Sequence, residues 1–130
     1  MPRTPQKILK KLHQLLDRAY APYSGFAVAA VIKSGSGQLY GGVNVENAAY
    51  PLSRCAEQSA TLQMVSAGER EILEVWVLSR GKQPATPCGG CRQVLSEFAH
   101  PDVPVHCLSA DGSELHTTLG ELLPHAFSKQ

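Results

Sequence analysis

The sequence predicts an α/β fold of three layers, in which a mixed sheet of about five strands lies between helices on both faces. Three patterns support this prediction. Helical and strand patterns alternate through the second half of the chain, which favours parallel strands joined by helical crossovers. A Ser-Gly-Ser-Gly turn at 34–37 separates two apolar stretches, as in an antiparallel hairpin. The run Ile72–Ser79 is almost entirely apolar, which is typical of a strand buried on both faces.

The helices are predicted from apolar residues that recur three and four positions apart. The first is amphipathic and should end at Pro22. Gly68 suits the C-terminal end of the second helix, and the hydroxyl of Thr118 can cap the last one. The predicted helices cover 6–19, the stretch from Cys55 to Gly68 (with Ala60, Leu62, Met64, Val65 and Ala67 as its apolar positions), the stretch from Cys91 to about Ala99, and the stretch from Thr118 through Leu123.

The strands are predicted from short apolar and β-branched runs that are bounded by Gly, Pro or Asp. Pro101 and Pro104 bracket the turn before the fourth strand, and an Asp-Gly turn at 111–112 precedes the fifth. The sequence contains neither internal repeats nor a linker, so we expect a single domain over residues 1–130. The predicted strands cover 26–33, 38–45, Ile72–Ser79, 105–108 and 115–118.

Composition excludes several classes of partner. Twelve basic and eleven acidic residues give a net charge of +1, which provides no excess for binding a nucleic-acid backbone. No apolar run approaches the roughly 18 residues that a membrane span needs. The apolar pair at 8–9 is too short for the core of a signal peptide. We therefore expect a cytoplasmic protein without nucleic-acid or membrane partners, whose four cysteines are thiols or metal ligands.

Two cysteine motifs, Cys-Ala-Glu at 55–57 and Pro-Cys-Gly-Gly-Cys at 87–91, each precede a predicted helix. A helix N-terminus carries a partial positive charge, so it stabilises thiolates. Helix starts that follow the strands of such a sheet converge at one edge. Three protein ligands that leave a fourth position for water are typical of a catalytic zinc. We predict one Zn²⁺ per chain, held by Cys55, Cys88 and Cys91.

Glu57 is the acidic residue near these motifs, and it is well placed to handle the protons of a hydrolytic water. Taken separately, the motifs have other interpretations. A Cys-x-x-Cys pair also fits a redox site or half of a structural zinc site, and Cys55 alone fits a small buried side chain. Glu57 alone fits a first-turn glutamate favoured by the helix dipole. Their combination favours a hydrolytic zinc site.

Two further predictions concern Pro87, which begins the second cysteine motif, and the remaining cysteine, Cys107. Pro87 suits the entry of the second cysteine helix, because its fixed φ is compatible with a helix and its missing N–H costs nothing there. His106 and Cys107 could suggest a fourth ligand, but successive residues of a strand point to opposite faces. We therefore expect Cys107 to be a buried structural thiol.

The chain resembles the cytidine deaminases of the small, homotetrameric class over residues 20–127. The zinc motif alone fits several deaminases. The Asn-Val-Glu-Asn segment discriminates between them, because members of this family use it to hold a nucleoside ribose. The matching motifs are Tyr-Ala-Pro-Tyr-Ser-Gly-Phe at 20–26, Asn-Val-Glu-Asn-Ala-Ala-Tyr-Pro-Leu at 44–52, Cys-Ala-Glu at 55–57, Pro-Cys-Gly-Gly-Cys-Arg-Gln at 87–93 and Leu-Leu-Pro at 122–124.

The resemblance implies zinc-dependent hydrolysis of cytidine and deoxycytidine to uridine and deoxyuridine plus ammonia, in pyrimidine salvage. It also implies a homotetramer with its sites at subunit interfaces. On their own, Asn44 and Glu46 would fit ordinary turn residues, and Phe26 would fit the core. The implied roles are sugar binding by Asn44 and Glu46, base stacking by Phe26, recognition of the base edge by Ala56 and Glu57, and contact with a neighbouring subunit's site by Ala48 and Tyr50.

One departure from the family pattern concerns charge. Many three-cysteine relatives have Arg directly after the motif Glu, where it helps to neutralise the thiolates, whereas this chain has Gln58. We hypothesise that Arg54 folds back to donate to a thiolate instead. Two other functions remain open: deamination of another aminopyrimidine, such as a blasticidin-like nucleoside antibiotic, and a non-catalytic binding module stabilised by zinc. An enzyme that edits nucleic acid is disfavoured, because the chain lacks basic excess and extra length.

Overall fold

The computed structural model describes residues 3–129, and within them the helices and strands follow one another in the predicted order. A short 3₁₀ turn, Tyr50–Leu52, lies in a region predicted as loop. No helix within the described part of the chain is both long and apolar enough to span a membrane. The elements are α1 (Gln6–Leu16), β1 (Val28–Ser34), β2 (Leu39–Val43), α2 (Ala56–Ser66), β3 (Ile72–Ser79), α3 (Gly89–Ser96), β4 (Pro104–Ser109), β5 (Glu114–Thr118) and α4 (Leu119–Leu122).

The strands form one mixed sheet in the order β2-β1-β3-β4-β5. β1 is antiparallel to both β2 and β3, so β2 and β3 run in the same direction. β3 and β4 are parallel neighbours. The helices α2 and α3 therefore each follow a strand that ends at the same edge of the sheet. This topology confirms the predicted fold class and brings the two cysteine motifs to one side of the molecule.

The sheet has a hydrophobic core on each face. Alternate residues of β1 point to opposite sides, so Val31 packs with α1 and Ile32 packs with α2. Leu12 of α1 is fully buried, and burial of this kind stabilises a fold by about 1.5–3 kcal/mol per leucine. The second core includes Met64 of α2 and Leu95 of α3, both fully buried. The three predicted layers are therefore present.

The start of α2 is held close to the sheet by a glycine. A Cβ atom on Gly42 of β2 would lie 2.7 Å from the carbonyl oxygen of Ala56, which is too close for any side chain. Farther along α2, some of the predicted apolar positions are buried and others are exposed. Ala60 is buried with Met64, whereas Leu62 is 58% exposed. Ala67 is also exposed.

Several boundaries differ from the prediction because the chain leaves regular structure to make tertiary hydrogen bonds. The helix α1 ends at Leu16 rather than at residue 19, well before Pro22. The chain then turns so that the Tyr20 N–H donates to the Asn44 carbonyl at 3.0 Å. Similarly, α3 ends at Ser96 rather than near Ala99. β1 and β2 are also shorter at the edge of the site than the predicted 26–33 and 38–45.

Candidate active site

Three cysteines from the two helix starts form the centre of the site. Cys55 occupies the N-cap position of α2, Cys88 occupies that of α3, and Cys91 lies in the first turn of α3. Their sulfur atoms all lie within 4.8 Å of one another, with 3.8 Å between Cys55 and Cys88 and 3.3 Å between Cys88 and Cys91. Three thiolates at positive helix ends suit Zn²⁺, so these residues fit a single zinc ion.

The loop before α3 is fixed by Arg92. Its guanidinium donates to the Pro87 carbonyl at 2.7 Å and to the Leu122 carbonyl at 2.8 Å, which joins the cysteine loop to α4. Pro87 itself lies outside the helix, because Cys88 is the N-cap and α3 begins at Gly89. Pro87 therefore immediately precedes the N-cap, at the entry to the helix. The Cys88 sulfur instead accepts a hydrogen bond from the Cys91 N–H at 3.5 Å.

Electrostatics around the sulfurs favour a thiolate at Cys55. A hydrogen bond from the Cys91 thiol lowers the pKa of Cys55 to about 6, and the positive charge of Arg54 acts in the same direction. Burial opposes this shift in pKa but does not reverse it. A thiolate is the form that binds a metal, so Cys55 is prepared to act as a ligand near neutral pH.

The hydrogen-bond donors near the sulfurs differ from the hypothesis based on sequence. The Arg54 guanidinium donates to the carbonyl groups of Pro51 and Ser53, at 3.2 and 2.9 Å, and not to a sulfur atom. The proposed direct donation from Arg54 was therefore wrong, although its charge still lowers the pKa of Cys55. Gln58 instead directs its side-chain amide at Cys91, with Nε2 3.6 Å from Sγ.

Glu57 lies in the first turn of α2 with only 4% of its surface exposed. Burial raises the pKa of its carboxyl group to about 7, and the neighbouring Cys55 charge contributes in the same direction. Its carbonyl oxygen accepts a hydrogen bond from the Thr61 hydroxyl at 2.8 Å within the helix. A carboxyl group with a pKa near 7 can both accept and release a proton at neutral pH.

A cavity of about 650 Å³ opens beside the cysteines. This volume is typical of sites for small molecules. Cys91 is fully buried and lies outside the lining, whereas the other predicted ligands face the cavity. Phe26 is 41% exposed, which argues against its alternative assignment to the core. The predicted site residues that line the cavity are Phe26, Asn44, Glu46, Ala48, Tyr50, Cys55, Ala56, Glu57 and Cys88.

The segment 44–46 is held in an extended form between two other stretches of chain. Val45 exchanges two backbone hydrogen bonds of 2.9 Å with Arg54. On its other side, the Glu46 N–H donates to the Tyr20 carbonyl at 2.9 Å. These pairings place the segment directly beside the start of α2, where Cys55 and Glu57 lie.

Two residues of the site received no role from the sequence. The Ser24 hydroxyl accepts a hydrogen bond from the Phe26 N–H at 3.0 Å. A serine that accepts from the amide two residues later is a common local pattern, so this contact had a signal in the sequence. The contact of Gln58 with Cys91 had no such signal, because it depends on how α2 and α3 pack together.

Cys107 is fully buried outside the cysteine cluster, and burial raises the pKa of its thiol to about 12.

The fold and the site define a zinc-binding α/β enzyme, and among the described residues one buried carboxyl group, that of Glu57, lies beside the cysteine cluster that could hold the metal. Residues 2–107 match the family model described as the cytidine and deoxycytidylate deaminase zinc-binding region, and the chain belongs to that family.

Relatives agree with this assignment. A cytidine deaminase of Sporosarcina psychrophila is 38% identical over 125 residues, which cover 96% of this chain and 92% of the relative. A cytidine deaminase of Mycoplasma genitalium is 41% identical over 123 residues, or 94% of each chain. Among solved structures, the cytidine deaminase from Burkholderia pseudomallei has a TM-score of 0.90 at 36% identity, covering 96% of this chain and 100% of that one.

Proposed function

We propose that this protein is a zinc-dependent cytidine deaminase, which hydrolyses cytidine to uridine and ammonia, and deoxycytidine to deoxyuridine and ammonia, in pyrimidine salvage. The observation that carries this proposal is that Cys55, Cys88 and Glu57 line the same cavity as the segment 44–46. One cavity thus combines a site for hydrolysis with polar groups suited to a sugar. The relatives named cytidine deaminase support the same activity.

Zinc held by Cys55, Cys88 and Cys91 would supply a water activated for attack at neutral pH. The Glu57 carboxylate would take one proton from the attacking water and transfer it to the ring nitrogen next to the reacting carbon, while the water oxygen bonds to that carbon. Glu57 would then take the second proton from the new hydroxyl group and deliver it to the amino group, so that the C–N bond breaks and ammonia leaves. This role requires a carboxyl group that gains and loses a proton near neutral pH, and burial gives Glu57 a pKa of about 7.

The remaining cavity residues bind and orient the nucleoside. The ring of Phe26 stacks on the pyrimidine, and the backbone of Ala56, with Glu57, recognises the base edge. Asn44 and Glu46 bind the sugar hydroxyls. The support for these assignments is positional: these residues line the cavity, and Phe26 presents an exposed ring there.

The decisive experiment follows the conversion of cytidine by ultraviolet absorbance in purified protein, before and after treatment with a zinc chelator. We expect turnover that the chelator abolishes and that added Zn²⁺ restores. Deoxycytidine, free cytosine and a blasticidin-like nucleoside serve as comparison substrates. Turnover of the antibiotic without turnover of cytidine would replace the proposed substrate. The absence of turnover with every compound would favour a zinc-stabilised binding module.

We also propose that the protein forms a homotetramer in which Ala48 and Tyr50 reach a neighbouring subunit's site. Tyr50 is 85% exposed at the cavity, and Leu52 of the same 3₁₀ turn is 60% exposed. Large apolar side chains exposed together are typical of an interaction surface. Light scattering should give about four times the chain mass of 14.0 kDa. A Tyr50→Ala variant should lose much of its deaminase activity while it keeps most of its zinc content.

The domain organisation and the location of the protein belong to the same proposal. We assign residues 1–130 to one catalytic domain, and we place the enzyme in the cytoplasm. All four cysteines are free, which suits a reducing compartment. Limited proteolysis should yield one resistant core, and fractionation of the source cells should recover the activity with cytoplasmic enzymes.

A further inference from the structure

The side chain of Asn44 already has partners within the protein. Its Oδ1 accepts from the Val28 N–H at 2.9 Å, and its Nδ2 donates to the Phe26 carbonyl at 2.8 Å. Both bonds go to the stretch that carries the exposed ring of Phe26. A side-chain amide has two donor hydrogens and two acceptor lone pairs. Asn44 therefore still has one N–H and one lone pair for a ligand.

Glu46 holds the same stretch from its other end. Its Oε1 accepts from the backbone N–H groups of Tyr23 and Ser24, at 2.9 and 3.0 Å. Its Oε2 accepts from the Ser24 hydroxyl. These bonds, above all the one from the Ser24 hydroxyl, lower the pKa of Glu46 below its ordinary value, so the carboxylate is ionised at neutral pH. Oε2 keeps acceptor capacity for a sugar hydroxyl.

The Ser24 hydroxyl lies between the two groups that the proposed function assigns to the sugar and to the base. It donates its hydrogen to Oε2 of Glu46 and accepts from the Phe26 N–H at 3.0 Å. One hydroxyl thus fixes the direction of the carboxylate and the backbone of the stacking residue. Tyr23 contributes only its backbone to this arrangement.

We propose that Ser24 is a positioning residue that couples the sugar-binding carboxylate of Glu46 to the base-stacking ring of Phe26. The proposal rests on the proposed function, because it needs a nucleoside in the cavity. Without the hydroxyl, Oε2 loses its fixed donor and the carboxylate can rotate away from the sugar. The cysteines and Glu57 belong to α2 and α3, so this loss leaves the hydrolytic centre unchanged.

The proposal predicts a change in substrate binding and not in chemistry. The Ser24→Ala variant should raise KM for cytidine roughly tenfold, which corresponds to the loss of one charge-assisted hydrogen bond, and should leave kcat within about twofold. The increase should be smaller for 2′,3′-dideoxycytidine, because that substrate lacks the 2′- and 3′-hydroxyls that could donate to Glu46 and keeps only the 5′-hydroxyl. Ser24→Thr keeps the hydroxyl and should restore KM to within about threefold.

A matched control comes from the other end of the sheet. The Ser36 hydroxyl also donates to a partly exposed carboxylate, that of Glu69, at 2.8 Å, but Ser36 lies in the turn between β1 and β2. Ser36→Ala should therefore keep KM unchanged. A double-mutant cycle tests whether Ser24 acts through the Glu46 carboxylate. In a Glu46→Gln background, Ser24→Ala should raise KM less than it does in the wild type. Full additivity, an unchanged KM in Ser24→Ala, or a loss confined to kcat would each overturn the proposal.

A binding measurement separates this proposal from the proposed function. Calorimetric titration of cytidine into Glu57→Gln protein, which cannot turn it over, should show weaker binding once Ser24→Ala is added. Wild-type protein that fails to deaminate cytidine would contradict the proposed function, while the titration would still report on Ser24. Equal affinity with and without the hydroxyl would contradict the role of Ser24 even if the enzyme deaminates cytidine.

Discussion

The side-chain amide of Gln58 lies beside the buried sulfur of Cys91, with 3.6 Å between Nε2 and Sγ. Three thiolates and one divalent ion sum to a net charge of about −1, so a donor at this point stabilises excess negative charge. The donor is a neutral amide. The guanidinium of Arg54, the residue before Cys55, is hydrogen-bonded to carbonyl groups. The donor beside the Cys91 sulfur is thus a neutral amide, where the family resemblance implies a positive charge.

Replacing Gln58 should therefore loosen the metal. Outer groups that hydrogen-bond to metal ligands typically change metal affinity by 10–100-fold. We expect Gln58→Ala to release zinc to a colorimetric chelator about tenfold faster than the wild type, and Gln58→Arg to release it no faster. Gln63→Ala is the matched control, because Gln63 lies exposed on the same helix. Equal release rates from Gln58→Ala and Gln63→Ala would mean that the amide does not support the site.

The identity of the ligands can be tested by zinc content. Elemental analysis should find one zinc per wild-type chain, and Cys88→Ala should lose most of it because two sulfurs remain. Cys107→Ala should retain its zinc, since Cys107 lies outside the cluster of sulfurs. Complete metal retention in Cys88→Ala, or metal loss in Cys107→Ala with the fold intact, would refute the assignment.

The role of Glu57 can be tested with its isosteric amide. Glu57→Gln keeps the shape of the side chain but cannot transfer a proton at any pH. A positioned acid–base group contributes about 10²–10⁴-fold, so kcat should fall by at least about 10²-fold. The zinc content and the circular dichroism spectrum should remain those of the wild type. A kcat within about tenfold of the wild type would assign the proton transfer to another group.

The parts of this fold that the sequence predicts well are those specified by local signals. Gly68 adopts a φ of +93° just after α2, as a glycine at that position should, and Thr118 caps α4 through the Glu121 N–H. The cysteine motifs begin helices that follow strands running in the same direction. The convergence of the three sulfurs then follows from topology.

The parts that the sequence does not predict depend on contacts between distant segments. The early end of α1 follows from the bond between Tyr20 and Asn44, which lie far apart in the chain. The choice of Gln58 over Arg54 as a donor to sulfur depends on side-chain directions that a sequence pattern does not specify. Leu62 fits an apolar helical spacing but lies on the outer side of α2, 58% exposed.

The raised pKa of Glu57 predicts an unusual dependence of stability on pH in the zinc-free protein. Burial raises this pKa from 4.5 to about 7, so the folded chain holds the proton more tightly than the unfolded chain. Between these two values, the unfolded chain has lost the proton and the folded chain has kept it. The contribution of Glu57 to the free energy of unfolding therefore falls as pH rises, by up to about 1.4 kcal/mol per pH unit, and levels off above pH 7.

Glu57→Gln removes this titration and leaves the other ionisable groups in place. In chelator-treated, reduced protein, the free energy of unfolding in urea should be higher for Glu57→Gln than for the wild type at pH 8. That difference should shrink as the pH is lowered towards 5, because protonation of Glu57 makes the two side chains equally neutral. The test uses the difference in unfolding free energy between the two proteins, because the cysteine thiols titrate in both and their contribution cancels in that difference. A difference that stays constant from pH 5 to pH 8 would show that Glu57 ionises at its ordinary pKa in the folded chain.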